Sequence, residues 1–328
     1  MSKQVSVIIC TYNRKEVLKK CLDALFLQDF PSLSYEVIVV IDGSTDGTET
    51  MIREIRSPCR FKWMNQENRG PAAARNRGAK EAEGEVLLFL DDDIIGVPEL
   101  ITEHVKSHQA ENPLVLGNIP LYPPEHRDYM TEGTHSWAQE HFEKLARKDY
   151  EITFLDVYFA NASIKQETFS VLGGFDEQFR RYGMEDREFA HRLLKTGIKP
   201  VYNPKAVGYQ IYLKDFPTYC DNYYWVGRGE VKLVKKYPEL WPSTRLSRYQ
   251  NARFIQRAGR RASLKYPGMM TRTMAMLKKM MEGGRRLHLI GAFLMKLQSF
   301  VRDYYYWLGV KEEAGGAEEF FSFLERRS

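Results

Sequence analysis

Three adjacent aspartates, Asp91, Asp92 and Asp93, directly follow an apolar run at residues 86–90. Like charges at this spacing repel one another unless a cation lies nearby. Oxygen ligands select Mg²⁺ or Mn²⁺, and Mg²⁺ commonly binds one or two carboxylates together with substrate phosphates. A second acidic loop, at residues 42–46, follows another apolar run. The two loops together favour a metal-assisted site, although an isolated triplet is equally consistent with a solvated turn that caps the next helix.

Alternating strands and helices would hold both acidic loops. Continuous apolar runs rich in β-branched residues are typical of strands buried in a parallel sheet, and apolar residues at i, i+3, i+4 and i+7 indicate helices. The alternation implies right-handed β-α-β units and an open, mostly parallel sheet of the α/β class, in which ligands bind at the carboxyl ends of strands. The predicted strands are at 5–9, 35–41, 61–64, 86–90, 150–159 and 200–202, and the predicted helices are at 17–25, 48–56, 70–83, 185–196 and throughout the region beyond 240.

Composition excludes several classes of protein. The 328 residues are 43% hydrophobic and 28% charged, which is typical of a globular chain and argues against global disorder. The longest strongly apolar stretch near either end, at 287–295, is too short to cross a bilayer, and residues 1–4 lack the pattern of a secretory signal. The four cysteines show neither zinc nor redox spacing. We therefore expect reduced thiols in a cytoplasmic protein.

One rival mechanism uses the same aspartates. The nucleophile motif of haloacid-dehalogenase-type phosphatases is a hydrophobic strand followed by DxDx[TV]. Residues 91–95 fit this motif except at the last position, where Ile95 replaces Thr or Val. That motif is expected near the amino terminus, with a separate acidic pair for Mg²⁺. A Mg²⁺-dependent phosphatase that uses Asp91 and Asp93 is thus an alternative function, but its motif would have one mismatched residue and would lie unusually far from the amino terminus.

Five short segments of the sequence form an ordered series. They are Val5 to Arg14, Asp42 to Thr48, Asn68 to Pro71 with Ala74-Arg75-Asn76, Leu90 to Asp93 with Pro98, and Gly173 to Asp176 with Glu185-Asp186. In this order and at these distances they resemble the motifs of the family 2 glycosyltransferases. The resemblance covers about residues 3–235, and five motifs in family order are far more specific than any one of them.

The resemblance implies a GT-A fold and transfer of a sugar from a nucleotide donor, expected to be a UDP-sugar, with inversion at the anomeric carbon. We expect a glycosyltransferase domain at 1–240, with a nucleotide-sugar half at about 1–98 and an acceptor half at about 99–240, followed by a basic helical region at 241–328. The expected acceptor is a glycan or a lipid-linked molecule, as in polysaccharide biosynthesis. A protein that binds the nucleotide sugar without turnover is the competing class, and the intact Asp186 argues against it.

The resemblance also implies a nucleotide site. Asp42 would hydrogen-bond the base, with Thr11 and Tyr12 lining the same pocket, and a turn-forming role for Asp42 is the alternative. Asp91 would face the ribose and, with Asp93, bind Mn²⁺ or Mg²⁺, whose charge offsets that of the leaving nucleoside diphosphate. The remaining residues of the predicted nucleotide site are Asn13, Gly43, Ser44, Asp92, Arg75 and Arg228.

Glu185 and Asp186 stand at the start of the predicted helix at 185–196. The family pattern makes Asp186 the general base that removes a proton from the acceptor hydroxyl, and Glu185 is the second candidate. Both acids could instead only favour the positive start of a helix. Gln210 stands where many relatives place a metal-binding histidine, so metal dependence or affinity is expected to differ. Arg75 would either contact the diphosphate or tie its helix to an acidic loop, and Arg228 would contact the diphosphate.

Positive charge is concentrated near the end of the chain. Residues 245–302 carry 14 Lys and Arg against one acid, Glu282, whereas the whole chain has a net charge of +5. Apolar residues at helical spacing, from Met270 to Met281 and from Ile290 to Val301, predict two amphipathic helices. Their apolar faces would pack on the catalytic domain or dock on an anionic membrane surface, which would make the protein peripheral on the inner face of a membrane. Nucleic acid is not an expected partner, because aromatic residues are not interleaved with the basic ones.

Overall fold

The computed structural model describes residues 3–109, 114–123, 128–181, 183–212, 214–249, 267–287, 291–316, 319–320 and 322–323. Contacts within the chain divide it into two compact units. The first comprises Met1–Pro124, Thr134–Arg180 and Glu185–Tyr212, and the second comprises Glu125–Gly133, Arg181–Met184 and Leu213–Ser328. The units thus separate before the expected boundary at residue 240, because the helix that follows Tyr212 packs mainly on the C-terminal helices. The division of the chain by function, at residues 98 and 240, stays a prediction.

One mixed sheet lies at the centre of the first unit. Its strands in the described part of the chain are β1 (Lys3–Thr11), β2 (Tyr35–Asp42), β3 (Arg60–Gln66), β4 (Gly84–Asp91), β5 (Ile94–Gly96), β6 (Leu114–Asn118), β7 (Asn161–Lys165) and β8 (Val201–Gln210). Their order is β3-β2-β1-β4-β7-β6-β8-β5. β1 pairs in parallel with β2 and β4, β2 with β3, and β6 with β8, whereas β7 is antiparallel to β4 and β6, and β5 is antiparallel to β8. The expected α/β fold with a mostly parallel sheet is confirmed.

Helices cover both faces of the sheet, which explains the continuous apolar runs of its central strands. Val7 and Ile9 of β1 belong to a core cluster with the apolar side of the first helix. Ile8 points to the other face, where a Cβ on Gly78 would lie 2.5 Å from its side chain. The helices with residues in this unit are α1 (Lys15–Leu25), α2 (Thr48–Arg53), α3 (Pro71–Lys80), α4 (Leu100–Gln109), α5 (Tyr129–Leu145, which begins in residues of the second unit), α6 (Gln166–Val171) and α7 (Glu185–Lys195).

The strand predicted at 150–159 is wrong. Residues 154–156 form a turn, and the next strand, β7, begins only at Asn161. The reason is Asp156, which is 3% exposed and whose carboxylate accepts hydrogen bonds from the Thr153 N–H, the Thr153 hydroxyl and the Tyr150 hydroxyl. A side chain that accepts from the backbone three residues earlier stabilises a turn rather than a strand.

The second unit is helical in the residues described for it. It contains α8 (Phe216–Lys236), two 3₁₀ turns (Pro238–Ser243 and Leu246–Tyr249), α9 (Pro267–Arg286) and α10 (Ala292–Ala314). The backbones of α8 and α10 approach closely at two glycines. A Cβ on Gly227 would collide with the carbonyl oxygen of Tyr306, and a Cβ on Gly309 would collide with that of Tyr224. The second apolar core includes Val231 and Val234 of α8 and Tyr306, Trp307 and Val310 of α10.

The two amphipathic helices expected near the C-terminus are present as α9 and α10. Part of the basic stretch, at 250–266 and 288–290, lies outside the described residues, as do the side chains of Met270 and Arg285. Of the helices in the described ranges, none combines the length and apolarity that a membrane span requires.

Candidate active site

Residues of the predicted site lie at the carboxyl ends of three neighbouring parallel strands. β2, β1 and β4 are adjacent in the sheet and end at Asp42, Thr11 and Asp91. Since these strands run in the same direction, one edge of the sheet carries the residues expected to meet the base and the ribose. Thr11 is 3% exposed, whereas Tyr12, the next residue, is 49% exposed and available to a ligand.

Asn13 joins the loops that follow β1 and β2. Its Oδ1 accepts from the Thr45 N–H at 2.7 Å, and its own N–H donates to the Ser44 hydroxyl oxygen at 2.9 Å. Asn13 has a φ of 52°, in the left-handed region that asparagine tolerates. Gly43 has a φ of 80°, and a Cβ there would lie 2.9 Å from the Asn68 nitrogen. Asn13, Gly43 and Ser44 therefore fix the shape of the loops at this edge.

Asp42 is buried and holds the loop that follows β3. Its Oδ1 accepts from Gln66 Nε2 at 2.7 Å and from the Arg69 N–H at 2.9 Å, and its Oδ2 accepts from the Gly70 N–H at 2.9 Å. A carboxylate offers about four acceptor positions, so these three bonds leave one for a ligand. The structure shows a loop-holding role for Asp42, and its role in binding the base stays a prediction.

Arg75, on α3, joins acids from two distant segments. Its Nη2 donates to Asp91 Oδ1 at 3.0 Å, and its Nη1 donates to Glu185 Oε1 at 3.1 Å and to Asp186 Oδ1 at 3.0 Å. Arg75 is 7% exposed, and a guanidinium at this depth is stable only with such partners. Of the two interpretations of Arg75 from sequence, the structure shows the tie to acidic residues, and contact with a diphosphate stays a prediction.

Asn76, the next residue, connects α3 with the segment that precedes α7. Its Nδ2 donates to the Phe175 carbonyl oxygen at 2.8 Å, and its Oδ1 accepts from the Phe175 N–H at 2.8 Å. Gly174 permits this approach, because a Cβ there would lie 2.6 Å from Asn76 Oδ1. Sequence analysis gave Asn76 no role. The available signal was two adjacent polar residues, Arg75 and Asn76, within an alanine-rich helix whose neighbours are buried.

Asp186 lies in the first turn of α7 with both oxygens bonded. Oδ1 accepts from Arg75, and Oδ2 accepts from the Phe159 N–H at 3.1 Å. Burial raises the pKa of Asp186 to about 7, opposed by the charge of Arg75 and reinforced by the charge of Glu185. A general base works best when its pKa lies near the operating pH, so this environment suits proton transfer at neutral pH.

Arg14 neutralises the other two aspartates of the triplet. Its Nη1 lies 2.9 Å from Asp92 Oδ1 and 3.1 Å from Asp93 Oδ2. Burial raises the pKa of Asp92 to about 7, although the charge of Arg14 lowers it. Sequence analysis assigned Arg14 no role. Its signal was a cation placed shortly after the end of β1, at the same edge of the sheet as the acids.

Asp91 and Asp93 supply carboxylate oxygens for the predicted divalent-metal site, whereas Gln210 directs its amide nitrogen at Asp93. The Asp91 side chain is 36% exposed, Asp93 is 5% exposed, and Gln210 Nε2 lies 3.3 Å from Asp93 Oδ1. Within the described ranges, no three His, Cys, Asp or Glu side chains group closely enough to hold a metal ion by themselves. Two carboxylates nevertheless suit Mg²⁺ or Mn²⁺ when phosphates and water complete the coordination. The donor set therefore fits a metal that binds together with a nucleotide.

Arg228 lies on α8 in the second unit. Its Nε and Nη2 each lie 2.8 Å from Glu313 Oε2, and its guanidinium carbon lies 5.0 Å from the centre of a Trp225 ring. These contacts connect α8 with α10. The predicted contact of Arg228 with a diphosphate stays a prediction.

Two family models match the sequence. The model described as glycosyl transferase family 2 matches residues 6–173, and the model described as the N-terminal domain of galactosyltransferase matches residues 149–215. The first match contains β1 to β7 with the strand ends at Asp42 and Asp91, and the second contains Glu185, Asp186 and β8.

Two curated relatives are glycosyltransferases. Validoxylamine A glucosyltransferase of Streptomyces hygroscopicus subsp. limoneus is 28% identical over 271 residues, which cover 73% of this chain and 58% of the relative. The uncharacterized glycosyltransferase YfnE of Bacillus subtilis is 29% identical over 242 residues, which cover 60% of this chain and 61% of the relative. The chain thus spans about three fifths of the length of these relatives.

Solved structures share the fold. The mannosyltransferase PcManGT from Pyrobaculum calidifontis, in complex with GDP-Man and Mn²⁺, matches with a TM-score of 0.62 at 18% identity over 96% of this chain and 88% of that one. Residues 1–349 of TarS from S. aureus, in complex with UDP-GlcNAc, match with a TM-score of 0.53 at 18% identity over 94% and 90% of the two chains. These likenesses show the GT-A fold. The family model, which matches half of the chain, shows that the chain belongs to glycosyl transferase family 2.

Proposed function

We propose that this glycosyltransferase moves a sugar from a UDP-sugar to an acceptor hydroxyl with inversion at the anomeric carbon. The observation that carries the proposal is the Arg75 bridge, which holds Asp91 at the end of β4 and Asp186 at the start of α7 on one guanidinium. Inverting displacement needs the donor and the base that activates the acceptor at a fixed short separation. A single buried guanidinium between the two acids provides such a separation.

Asp186 is proposed as the general base. As the acceptor oxygen attacks the anomeric carbon, its proton passes to a carboxylate oxygen of Asp186. With a pKa of about 7, Asp186 is ionised often enough at neutral pH to accept this proton and basic enough to hold it. Glu185 supports this role, because its charge raises the pKa of Asp186, and Glu185 is the second candidate for the base.

The nucleotide is proposed to lie along the strand ends, with the base near Asp42 and the ribose near Asp91. The remaining acceptor position of Asp42 suits the imide N–H of uracil, and Thr11 and Tyr12 are the adjacent residues of the same edge. One solved TarS structure contains UDP and another contains UDP-GlcNAc, which supports UDP, whereas the PcManGT structure contains GDP-Man. Competition between UDP- and GDP-sugars therefore belongs in the first experiment.

Mn²⁺ or Mg²⁺ is proposed as the cofactor, held by Asp93 and Asp91 with Gln210 beside them. A divalent ion would supply positive charge to the leaving nucleoside diphosphate. The Mn²⁺ in the PcManGT complex supports this assignment. Arg14 Nη1 lies 3.1 Å from Asp93 Oδ2, so Arg14 and the metal would share this carboxylate.

The acceptor is proposed to be a glycan or a lipid-linked glycan at the cytoplasmic face of a membrane. A relative that is 41% identical over 90 residues, 27% of this chain and 16% of the relative, is named poly(ribitol-phosphate) beta-N-acetylglucosaminyltransferase TarS of Staphylococcus aureus. That name supports a polymeric acceptor. The cationic C-terminal region, which carries 14 Lys and Arg between residues 245 and 302, supports an acceptor that is presented on an anionic surface.

Asp186→Asn tests the proposal, because the amide keeps the shape of the side chain but cannot accept the proton. We expect kcat to fall by ~10²- to 10⁴-fold, the usual effect of losing a general base. UDP affinity should stay nearly unchanged. The assay is release of nucleoside diphosphate from a panel of UDP-, GDP- and dTDP-sugars, with and without acceptor extracts.

Glu188→Gln is the matched control. Glu188 lies in the same first turn of α7 but pairs with Arg192 instead of Arg75. If both variants lower kcat equally, the acids of this turn act only by placing negative charge at the positive start of the helix. If Asp186→Asn retains full turnover, Glu185 becomes the candidate base. A wild-type protein that binds UDP but releases no product with any donor would be a nucleotide-sugar-binding protein instead.

A further inference from the structure

One side of α9 carries apolar side chains in an exposed position. Met276, Met280 and Leu287 are 64%, 44% and 71% exposed. Their spacings of four and seven residues place them on one face of a helix. Leu287 follows the last residue of α9 and continues its geometry, because its N–H donates to the Gly283 carbonyl oxygen. The second unit thus has an apolar strip that its own core leaves uncovered.

Basic residues border this strip. Arg272, Lys279 and Arg286 are exposed and recur every seven residues, so they form a line along the helix. Arg272 and Lys279 stand four residues before and three residues after Met276, which makes them its neighbours on the helix surface. Glu282 is the only acid of α9; its Oε2 accepts from the Phe216 N–H at 3.3 Å, and its Oε1 lies 3.7 Å from Arg286 Nε. The exposed face is therefore apolar and cationic.

The opposite side of α9 already attaches the helix to the second unit. Met274 and Met281 are 1% and 0% exposed. Lys278 lies 3.6 Å from Asp221 Oδ1 on α8, and its Nζ lies 4.2 Å from the centre of the Tyr305 ring on α10. These contacts hold α9 on the second unit by its buried side. The exposed strip is therefore a separate surface of the helix, which does not take part in packing against the core of the second unit.

The start of α10 repeats the pattern. Phe293 and Phe300 are 72% and 54% exposed and are separated by seven residues. Lys296, exposed between them, stands three residues after the first and four before the second. A helix with bulky apolar side chains and cations on the same exposed side is typical of segments that lie in the interface of an anionic bilayer.

We propose that the exposed faces of α9 and α10, defined by Met276, Met280, Leu287, Phe293 and Phe300 with their basic neighbours, dock on an anionic lipid bilayer. Charge complementarity selects this partner, since each exposed cation is attracted to anionic headgroups while the apolar side chains enter the interfacial region. A second copy of the chain is a poorer occupant, because a symmetric interface would pair this cationic face with an identical cationic face. The proposal rests on the proposed function only for the idea that the acceptor is carried on a lipid.

The test is flotation of the full-length protein with vesicles of phosphatidylcholine alone or with about 30% phosphatidylglycerol, at low and high salt. The wild type should float with the anionic vesicles at low salt and much less with the neutral ones. The triple variant Arg272→Gln/Lys279→Gln/Arg286→Gln should bind the anionic vesicles on the order of 100-fold more weakly, because each charge near the surface contributes about fivefold. Met276→Ser/Met280→Ser/Leu287→Ser should abolish flotation at either salt concentration.

The control variant is Leu27→Ser/Leu33→Ser/Val171→Ser, which removes three apolar side chains that are 75%, 72% and 82% exposed in the first unit. Its flotation should equal that of the wild type. Wild-type protein that stays in solution with anionic vesicles, or a control that loses flotation as strongly as the α9 variants, would overturn the proposal. So would a wild-type dimer, seen by light scattering, that the α9 serine variant converts to a monomer.

Membrane docking and catalysis are tested by separate measurements. All of these changes are at exposed positions, so thermal unfolding and UDP-sugar hydrolysis should match the wild type. Loss of flotation with unchanged hydrolysis would support the docking face, whereas flotation without any transfer or hydrolysis would contradict the proposed function and leave the docking face supported.

Discussion

Arg75→Met would leave three carboxylates without the charge that they share. Glu185 is 3% exposed, and the Asp186 side chain is 15% exposed, so neither can be solvated freely in place of the guanidinium. Removing one partner of a buried ion pair typically costs about 3–5 kcal/mol. Arg75→Met should therefore lower the free energy of unfolding by about that amount. Urea denaturation, monitored by tryptophan fluorescence, measures this difference.

Arg75→Lys is the milder change and tests the chemistry rather than the fold. A lysine keeps the charge, but its single ammonium cannot bond Asp91, Glu185 and Asp186 with the geometry of a guanidinium. The charge of Arg75 lowers the pKa of Asp186 against the effect of burial. Weaker contact should therefore raise that pKa further. Since a general base must be ionised, the acidic limb of the kcat/KM profile should move to higher pH.

Arg77→Lys is the control for this pair of variants. Arg77 lies on the same helix, but it is bonded to the Asn65 carbonyl oxygen and is not in contact with the three acids. Its pH profile and stability should match those of the wild type. The reasoning would be refuted by an Arg75→Lys profile that superimposes on the wild-type profile, or by an Arg75→Met variant that loses less than about 1 kcal/mol.

Two further predictions concern metal binding and acid stability. In calorimetry, Asp93→Ala should remove the dependence of UDP affinity on Mn²⁺. Unchanged Mn²⁺ dependence in this variant would place the metal elsewhere. Asp42→Ala should reduce the preference for UDP over GDP. His104 is buried between Ser163 and Asn161, and burial lowers its pKa to about 4. The pKa of histidine in an unfolded chain is ~6.5, so between pH ~6.5 and ~4 the unfolded state binds more protons than the folded state. The free energy of unfolding should therefore fall by about 3 kcal/mol as the pH decreases through this range. His104→Gln should flatten this slope in urea denaturation series, and an unchanged slope would assign the acid sensitivity to another group.

The sheet could be predicted because its central strands are buried on both faces. Residues 37–41 and 86–90 are continuous apolar runs, and the chain between them contains helical patterns, so the alternation is visible without any structure. β8 was predicted only at 200–202, and Pro204, two residues later, lacks the N–H that a strand ladder uses. In the structure β8 continues to Gln210, with an irregularity opposite Gly117 and Asn118 that accommodates the interruption.

Residues whose roles depend on distant partners were harder to predict. Asp91 and Asp186 could be named because their segments resemble family motifs, but nothing in the local pattern shows that one arginine touches both. Arg75 was accordingly given two interpretations, and Arg14 was given none. The bonds of Arg14 to Asp92 and Asp93 span 78 and 79 residues, a distance in sequence at which side-chain type carries no information about contact.

The Arg75 bridge makes assembly of the site a late, long-range event in folding. Its bond to Asp91 spans 16 residues, whereas its bond to Asp186 spans 111. Closing a loop of the larger size costs about 4 kcal/mol of chain entropy, and contacts of such separation slow folding. A growing chain that ends before residue 185 would contain the strand ends proposed to bind the nucleotide, but its Arg75 would have only one of three partners. A fragment of the first unit that ends before residue 185 therefore lacks the candidate base, and transfer activity is expected only when the whole first unit has formed.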